Sequence, residues 1–138
     1  MRLCSACLLG IACRYDGLSK PNEKALALAK AETLIPVCPE QLGGMPTPRP
    51  GSEITRFGAV VHESGKDVTK EFSKGALETL KIAKLYGIKE AILKQRSPSC
   101  GSGQVYDGSF SKRLVKGDGI TAALLKKNGI KVISEEDI

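Results

Sequence analysis

Four short apolar runs punctuate the chain, at Arg2–Ala6, Leu34–Val37, Ala91–Lys94 and Lys131–Ile133. Continuous runs of this length predict strands buried on both faces, as in a parallel sheet. The segments between them carry helical periodicity. Asn22 can cap a helix reaching about Ala31, with Pro21 just before it. The longest predicted helix spans about Thr69 to Tyr86. Its apolar positions Phe72, Ala76, Leu77, Leu80, Ala83 and Leu85 mostly follow a 3.6-residue period, and Gly87 ends it. A third runs from about Gly119 to Asn128 and is closed by Gly129. Strands alternating with helices predict an α/β fold. The expected architecture is a three-layer, Rossmann-like domain with a short, mainly parallel sheet of about four strands and helices on both faces.

One stretch breaks the pattern. Between Cys38 and Gly58 stand Pro39, Pro46, Pro48 and Pro50 together with Gly43, Gly44, Gly51 and Gly58. That density of proline and glycine argues against a regular helix or a central strand, and a long loop inside a small domain is usually functional. The following GAVVHESGKDV reads as a hairpin with Ser64-Gly65 at its turn. The length of 138 residues and the absence of internal repeats make residues 1–138 a single domain.

Composition narrows the class. Hydrophobic residues are 41% and charged residues 26%, an ordinary globular mixture. No apolar run approaches the ~18 residues of a membrane span, and the apolar stretch in MRLCSACLLG is short for a secretory signal. A cytoplasmic location without membrane contact is expected. Twenty-one Lys and Arg against fifteen Asp and Glu give a net charge of +6. Such a charge can attract nucleic acid or other anions, or simply be a lysine-rich solvated surface. Aromatic residues are only 4%, and cations alternate with acids at Lys66-Asp67, Lys70-Glu71 and Lys89-Glu90. Nucleic acid is therefore the less favoured partner.

The cysteines are the chemical signal. An odd set, Cys4, Cys7, Cys13, Cys38 and Cys100, in a chain read as cytoplasmic argues against a disulfide framework and for metal ligation or thiol chemistry. Cys7 and Cys38 directly follow predicted strands, and Cys100 lies six residues past a third. All three thus fall at the carboxyl edge of a parallel sheet, where open α/β sheets bind ligands. Cys4, inside the first strand, reads as a core residue, and the lone His62 as a surface residue of the hairpin. Thiol softness favours zinc or iron–sulfur over magnesium or calcium. Cys4-x-x-Cys7 lacks the second pair of a structural zinc site. Three thiolates with an open fourth position suit a cubane cluster with one iron free for a ligand.

The residues around these cysteines carry a resemblance. Ser5-Ala6-Cys7-Leu8-Leu9-Gly10, Cys13-Arg14-Tyr15-Asp16-Gly17, Pro36-Val37-Cys38-Pro39-Glu40-Gln41-Leu42-Gly43-Gly44, Pro46-Thr47-Pro48-Arg49, and Leu93-Lys94 with Ser97-Pro98-Ser99-Cys100-Gly101 occur in that order. The chain resembles the small bacterial and archaeal family that includes the thiouracil desulfidases, in its stand-alone form. The resemblance is strong as far as Gly101 and looser beyond it. It implies a single desulfidase-like iron–sulfur domain. It also implies non-redox removal of sulfur from a small-molecule thiolated pyrimidine such as 2-thiouracil, with C=S becoming C=O and sulfide released. The implied cofactor is a [4Fe-4S] cluster with one open iron, held by three cysteines whose best matches are Cys7, Cys38 and Cys100. The carboxylate and hydroxyl implied to assist match Glu40 and Ser97.

Glu40 then takes a proton from the attacking water and Ser97 orients that water or relays a proton, the alternatives being a solvated loop acid and a turn-forming hydroxyl. Cys13 can stand behind the ligands, hold a transient sulfur, or pack. Arg14, Tyr15, Asp16 and Arg49 are candidates to shape the substrate pocket, with an Arg14–Asp16 ion pair as the structural alternative. Two other functions stay open: a non-enzymatic metal or iron–sulfur module that binds thiolated RNA, and a sulfur carrier.

Overall fold

The four apolar runs form strands that lie side by side. A computed structural model describes every residue, Met1–Ile138. The chain runs β1 (Arg2–Ser5), α1 (Glu23–Ala31), β2 (Leu34–Val37), α2 (Pro39–Leu42), β3 (Ser52–Ile54), β4 (Val60–His62), α3 (Thr69–Leu85), β5 (Glu90–Leu93), β6 (Gln104–Tyr106), β7 (Leu114–Lys116), α4 (Ile120–Lys127) and β8 (Lys131–Ser134). Single 3₁₀ turns follow β1 at Ala6–Leu9 and β8 at Glu135–Asp137. One all-parallel sheet has the order β2-β1-β5-β8. Its register sets Leu3 beside Ile35 and Ala91, and Ala91 beside Val132.

Alternation along these strands divides the core into two layers. Leu3, Ala91, Leu93 and Val132 pack with Leu80 and Ala83 of α3 and with Ala122 and Leu125 of α4. Cys4 and Ile92 point the other way, into a cluster with Leu8 and Ala25 of α1. Helices therefore cover both faces, as the patterning predicts. Each fully buried aliphatic side chain contributes roughly 1.5–3 kcal/mol. The caps also follow the sequence. The Asn22 side chain accepts from the Ala25 N–H at 3.0 Å, and Gly87 and Gly129 past α3 and α4 take φ of 64° and 79°.

Several expectations need correction. The third strand begins at Glu90 and ends at Leu93, one residue earlier than the apolar run suggests. The Cys38–Gly58 stretch holds a one-turn helix, α2, and a short strand, β3. Proline is compatible with α2 because Pro39 occupies the first turn, where its missing N–H costs nothing. The hairpin is set differently as well. β4 pairs antiparallel with β3, upstream, and the Ser64-Gly65 turn returns only a single bridge, Val61 to Asp67. His62 is buried rather than exposed, two residues along β4 from the fully buried Val60. A second hairpin, β6–β7, carries no patterning signal because its strands are three residues long. No helix is long and apolar enough to cross a membrane.

Candidate active site

The loops leaving the carboxyl ends of β1, β2 and β5 wall a single cavity of about 560 Å³. Cys7, on the turn after β1, Cys38, at the start of α2, and Cys100, in the turn after β5, all line it. Glu40, Ser97 and Cys13 join them on the wall, and so do Arg14, Tyr15 and Arg49. Asp16 does not. It pairs with Arg14 at 3.3 Å and accepts the Leu18 N–H at 3.0 Å, so its role is to shape the Cys13–Leu18 turn. Cys4 is fully buried away from the cavity.

Backbone contact fixes the Cys38 loop. α3 crosses α2 at Gly43 and Gly75, so closely that a Cβ on Gly75 would overlap the Pro39 carbonyl and one on Gly43 would lie 2.9 Å from the Glu71 carbonyl carbon. Only glycine fits at either position. Gly75→Ala gains about 1 kcal/mol of helix propensity, but the overlap with rigid backbone forces α2 away. We expect a net loss of stability of about 1–3 kcal/mol and a displaced Cys38–Glu40 segment, measurable as a lower Tm together with impaired cofactor retention. The Cys100 loop is held as firmly. Its carbonyls at Pro98 and Ser99 accept from the first N–H groups of α4, Ile120 at 2.9 Å and Thr121 at 2.8 Å, which satisfies donors a helix start leaves free. Gly119 allows this approach, since a Cβ there would lie 2.7 Å from the Cys100 nitrogen. Glu135 accepts the Gln95 N–H at 2.7 Å and pairs with Lys94 at 3.1 Å, while Glu136 pairs with Arg96 at 2.8 Å.

Hydrogen bonding assigns the polar groups their capacities. The Ser97 hydroxyl oxygen accepts from the N–H groups of Ser99 at 3.1 Å and Cys100 at 3.0 Å. A hydroxyl has two lone pairs and one proton, so Ser97 is left to act as a donor. The turn-forming reading of Ser97 therefore holds, on a residue that also lines the cavity. Arg49 is buried, and its guanidinium spends four of its five N–H donors on protein: Glu40 Oε1 at 3.0 Å, Pro46 O at 3.2 Å, Thr47 Oγ1 at 2.9 Å and Cys13 O at 2.9 Å. It is foremost a clamp that ties the Glu40 carboxylate and the Cys13 loop together. Glu40 gives Oε1 to that clamp, which leaves Oε2 without a hydrogen-bond partner on the protein.

Three thiols of the site, Cys13, Cys38 and Cys100, are shifted toward the protonated form. Burial pushes Cys100 up to about 12, against a hydrogen bond from Ser5 that favours the thiolate. Cys38 is raised by its hydrogen bond with the Cys13 thiol and then by burial. At Cys13 the hydrogen bond with Cys38 lowers, but one with Cys7 and burial together leave the thiol raised. Cys13 therefore sits against both Cys7 and Cys38 at the cavity wall. Loading a metal group onto such thiols releases protons. The donor set suits an iron–sulfur cluster: soft sulfur donors from separate loops, around a cavity with room on its remaining side. No three His, Cys, Asp or Glu side chains are gathered tightly enough to hold a single metal ion.

Ser5, Glu53 and Phe110 are among the wall residues that the sequence did not single out. Ser5 is buried, accepts the Lys94 N–H at 2.9 Å, and turns its hydroxyl to Cys100; its place at the end of β1 beside Cys7 was a usable signal. Glu53 and Phe110 arrive on three-residue strands and an irregular loop, which leave no periodic trace.

The chain has known relatives. A sequence model of the 2-thiouracil desulfurase family matches residues 3–137. An uncharacterized protein of Bacillus subtilis (strain 168), YbbK, is 44% identical over 147 residues, covering 100% of this chain and 97% of that protein. A solved structure described as the [4Fe-4S]-dependent thiouracil desulfidase TudS superposes with a TM-score of 0.92 at 47% identity, covering 99% of this chain and 91% of that one.

Proposed function

Because this chain belongs to the 2-thiouracil desulfurase family, we propose that it removes the sulfur of a thiolated pyrimidine, 2-thiouracil or a close analogue, by non-redox exchange of C=S for C=O. The whole chain acts as one domain. The observation that carries this reading is the convergence of Cys7, Cys38 and Cys100 with Glu40 and Ser97 on one cavity at the carboxyl edge of the sheet. A [4Fe-4S] cluster is the cofactor, with Cys7, Cys38 and Cys100 as its thiolate ligands. When bound, the cluster supplies a soft Lewis acid that draws electron density from the thiocarbonyl carbon through its sulfur.

The protein's own groups perform the rest. Glu40 Oε2 takes the proton of a water placed against the ring carbon, while Arg49 fixes the carboxylate through Oε1. Ser97, its oxygen already engaged, donates its proton to the water or to a ring nitrogen. Cys13 stands behind Cys7 and Cys38, bound through its carbonyl to Arg49. Water replaces the sulfur and leaves as the oxygen of the product, and the sulfur departs as sulfide. No net electrons move.

That balance gives the test. The reconstituted protein is expected to convert 2-thiouracil to uracil with one sulfide released per turnover and no external reductant, measured by chromatography and a sulfide assay. A sulfur carrier or an RNA-binding module leaves the thiopyrimidine intact. Absence of sulfide from a panel of thiolated bases and nucleosides, with iron and labile sulfide verified in the protein, overturns the reading.

A further inference from the structure

Three residues other than glycine have left-handed backbone: Arg96, Phe110 and Lys112, with φ of 66°, 56° and 61°. All three line the cavity. This conformation is unfavourable for any side chain with a Cβ, and for a bulky residue such as phenylalanine it is rare. It persists only where surrounding structure imposes it, and such residues gather at ligand-binding sites.

At Phe110 the imposing structure is visible. Glu53, on β3, accepts through one oxygen from two backbone N–H groups of the loop between β6 and β7, Gly108 at 3.0 Å and Phe110 at 3.1 Å. Bonds from N–H groups to a charged carboxylate are stronger than neutral ones. The same loop is pressed against the end of β3: a Cβ on Gly108 would lie 2.8 Å from the Ile54 carbonyl oxygen and 2.9 Å from the Thr55 Cα, and Gly108 has φ of 93°. Two hairpins distant in sequence are therefore pinned together, and the pin sets down a half-buried aromatic ring on the wall of a cavity lined also by thiols, charged groups and the rings of Tyr15 and Tyr106. The core does not need that ring there, since the hydrophobic clusters close without it.

We propose that Phe110 is a specificity-determining residue that offers a stacking face to the planar heterocycle, and that Glu53 is the positioning residue that holds it. The inference rests on the reading that a thiolated pyrimidine enters this cavity. A stacked ring discriminates by shape: an aromatic thiocarbonyl gains from Phe110, and a small acyclic one does not.

The test compares 2-thiouracil with thioacetamide on the cluster-loaded protein, alongside calorimetric binding of 2-thiouracil. Phe110→Ala is expected to raise KM for 2-thiouracil about tenfold, with most of the loss in KM and a matching rise in Kd. Phe110→Tyr restores both, and the KM for thioacetamide moves by less than about twofold. Glu53→Ala is expected to raise KM similarly and to speed hydrogen exchange at the Gly108 and Phe110 amides. Glu53→Gln, which keeps an accepting oxygen, rescues both readouts, as it would not if Glu53 moved a substrate proton. A Phe110→Ala protein with wild-type KM and Kd for 2-thiouracil overturns the proposal. If the unmodified protein binds 2-thiouracil without converting it and Phe110→Ala weakens that binding, the stacking role stands and the reaction does not. If it neither binds nor converts 2-thiouracil, both fall.

Discussion

Cys100→Ser is expected to yield a folded protein that never acquires the broad visible absorption of an iron–sulfur cluster and releases no sulfide from 2-thiouracil. Cys7→Ser and Cys38→Ser are expected to behave alike. The three thiols reach the cavity from three separate loops, so each substitution removes one independent point of attachment; Cys13, on the loop of Cys7, is the one other cysteine on the wall. A serine oxygen is a hard, weakly acidic donor where soft sulfur is needed. The fold is expected to survive because aliphatic side chains make up most of its core. Burying a hydroxyl in place of a thiol costs about 1–3 kcal/mol. Cys4→Ser is the matched control: it takes the same penalty in the α1-facing cluster yet keeps full absorption and turnover. Iron and sulfide content, visible spectra and Tm on the four variants decide the assignment. Retained absorption in Cys100→Ser, or its loss in Cys4→Ser, would contradict it.

Glu40→Gln is expected to keep the cluster and to lose turnover by on the order of 10²-fold or more. The amide preserves the shape and can still accept from Arg49 through its oxygen, but it cannot take a proton from water. Arg49 loses its only charged partner and retains three neutral acceptors, so a modest fall in Tm accompanies the loss. The steady-state rate of sulfide release, normalised to iron, is the measurement. Unchanged turnover removes Glu40 as the base. Asp16 is not a substitute, because it lies off the cavity wall and is engaged with Arg14.

The sheet was legible because apolar continuity at Arg2–Ala6 or Lys131–Ile133 reflects burial on both faces, a property of each strand alone. Asn22, Gly87 and Gly129 were legible for the same reason: a cap is a local event. The thiols could be placed at one edge because parallel strands send their ends the same way. What could not be read was anything decided across loops. That Arg49 binds Glu40 and Cys13 O depends on its prolyl loop meeting both α2 and the Cys13 turn. That Ser97 is restricted to donating depends on the turn it closes. His62 was misplaced because the true partner of its strand lies upstream, in a segment whose prolines hide a three-residue strand.

The pairing of β1 with β5 has a consequence for the life of the nascent chain. Cys7 and Cys100 come to line one cavity only after parallel strands far apart in sequence have joined at the centre of the sheet, with α3 between them in the chain. Contacts this distant form slowly, because loop closure must precede any gain from packing. Until then the thiols belong to a flexible polymer and stand exposed to oxidants with no metal to shield them. A zinc finger draws its chain together around the ion. Here the sheet brings the thiol-bearing loops together, so the β1–β5 pairing is a condition for any group held by all three thiols at once.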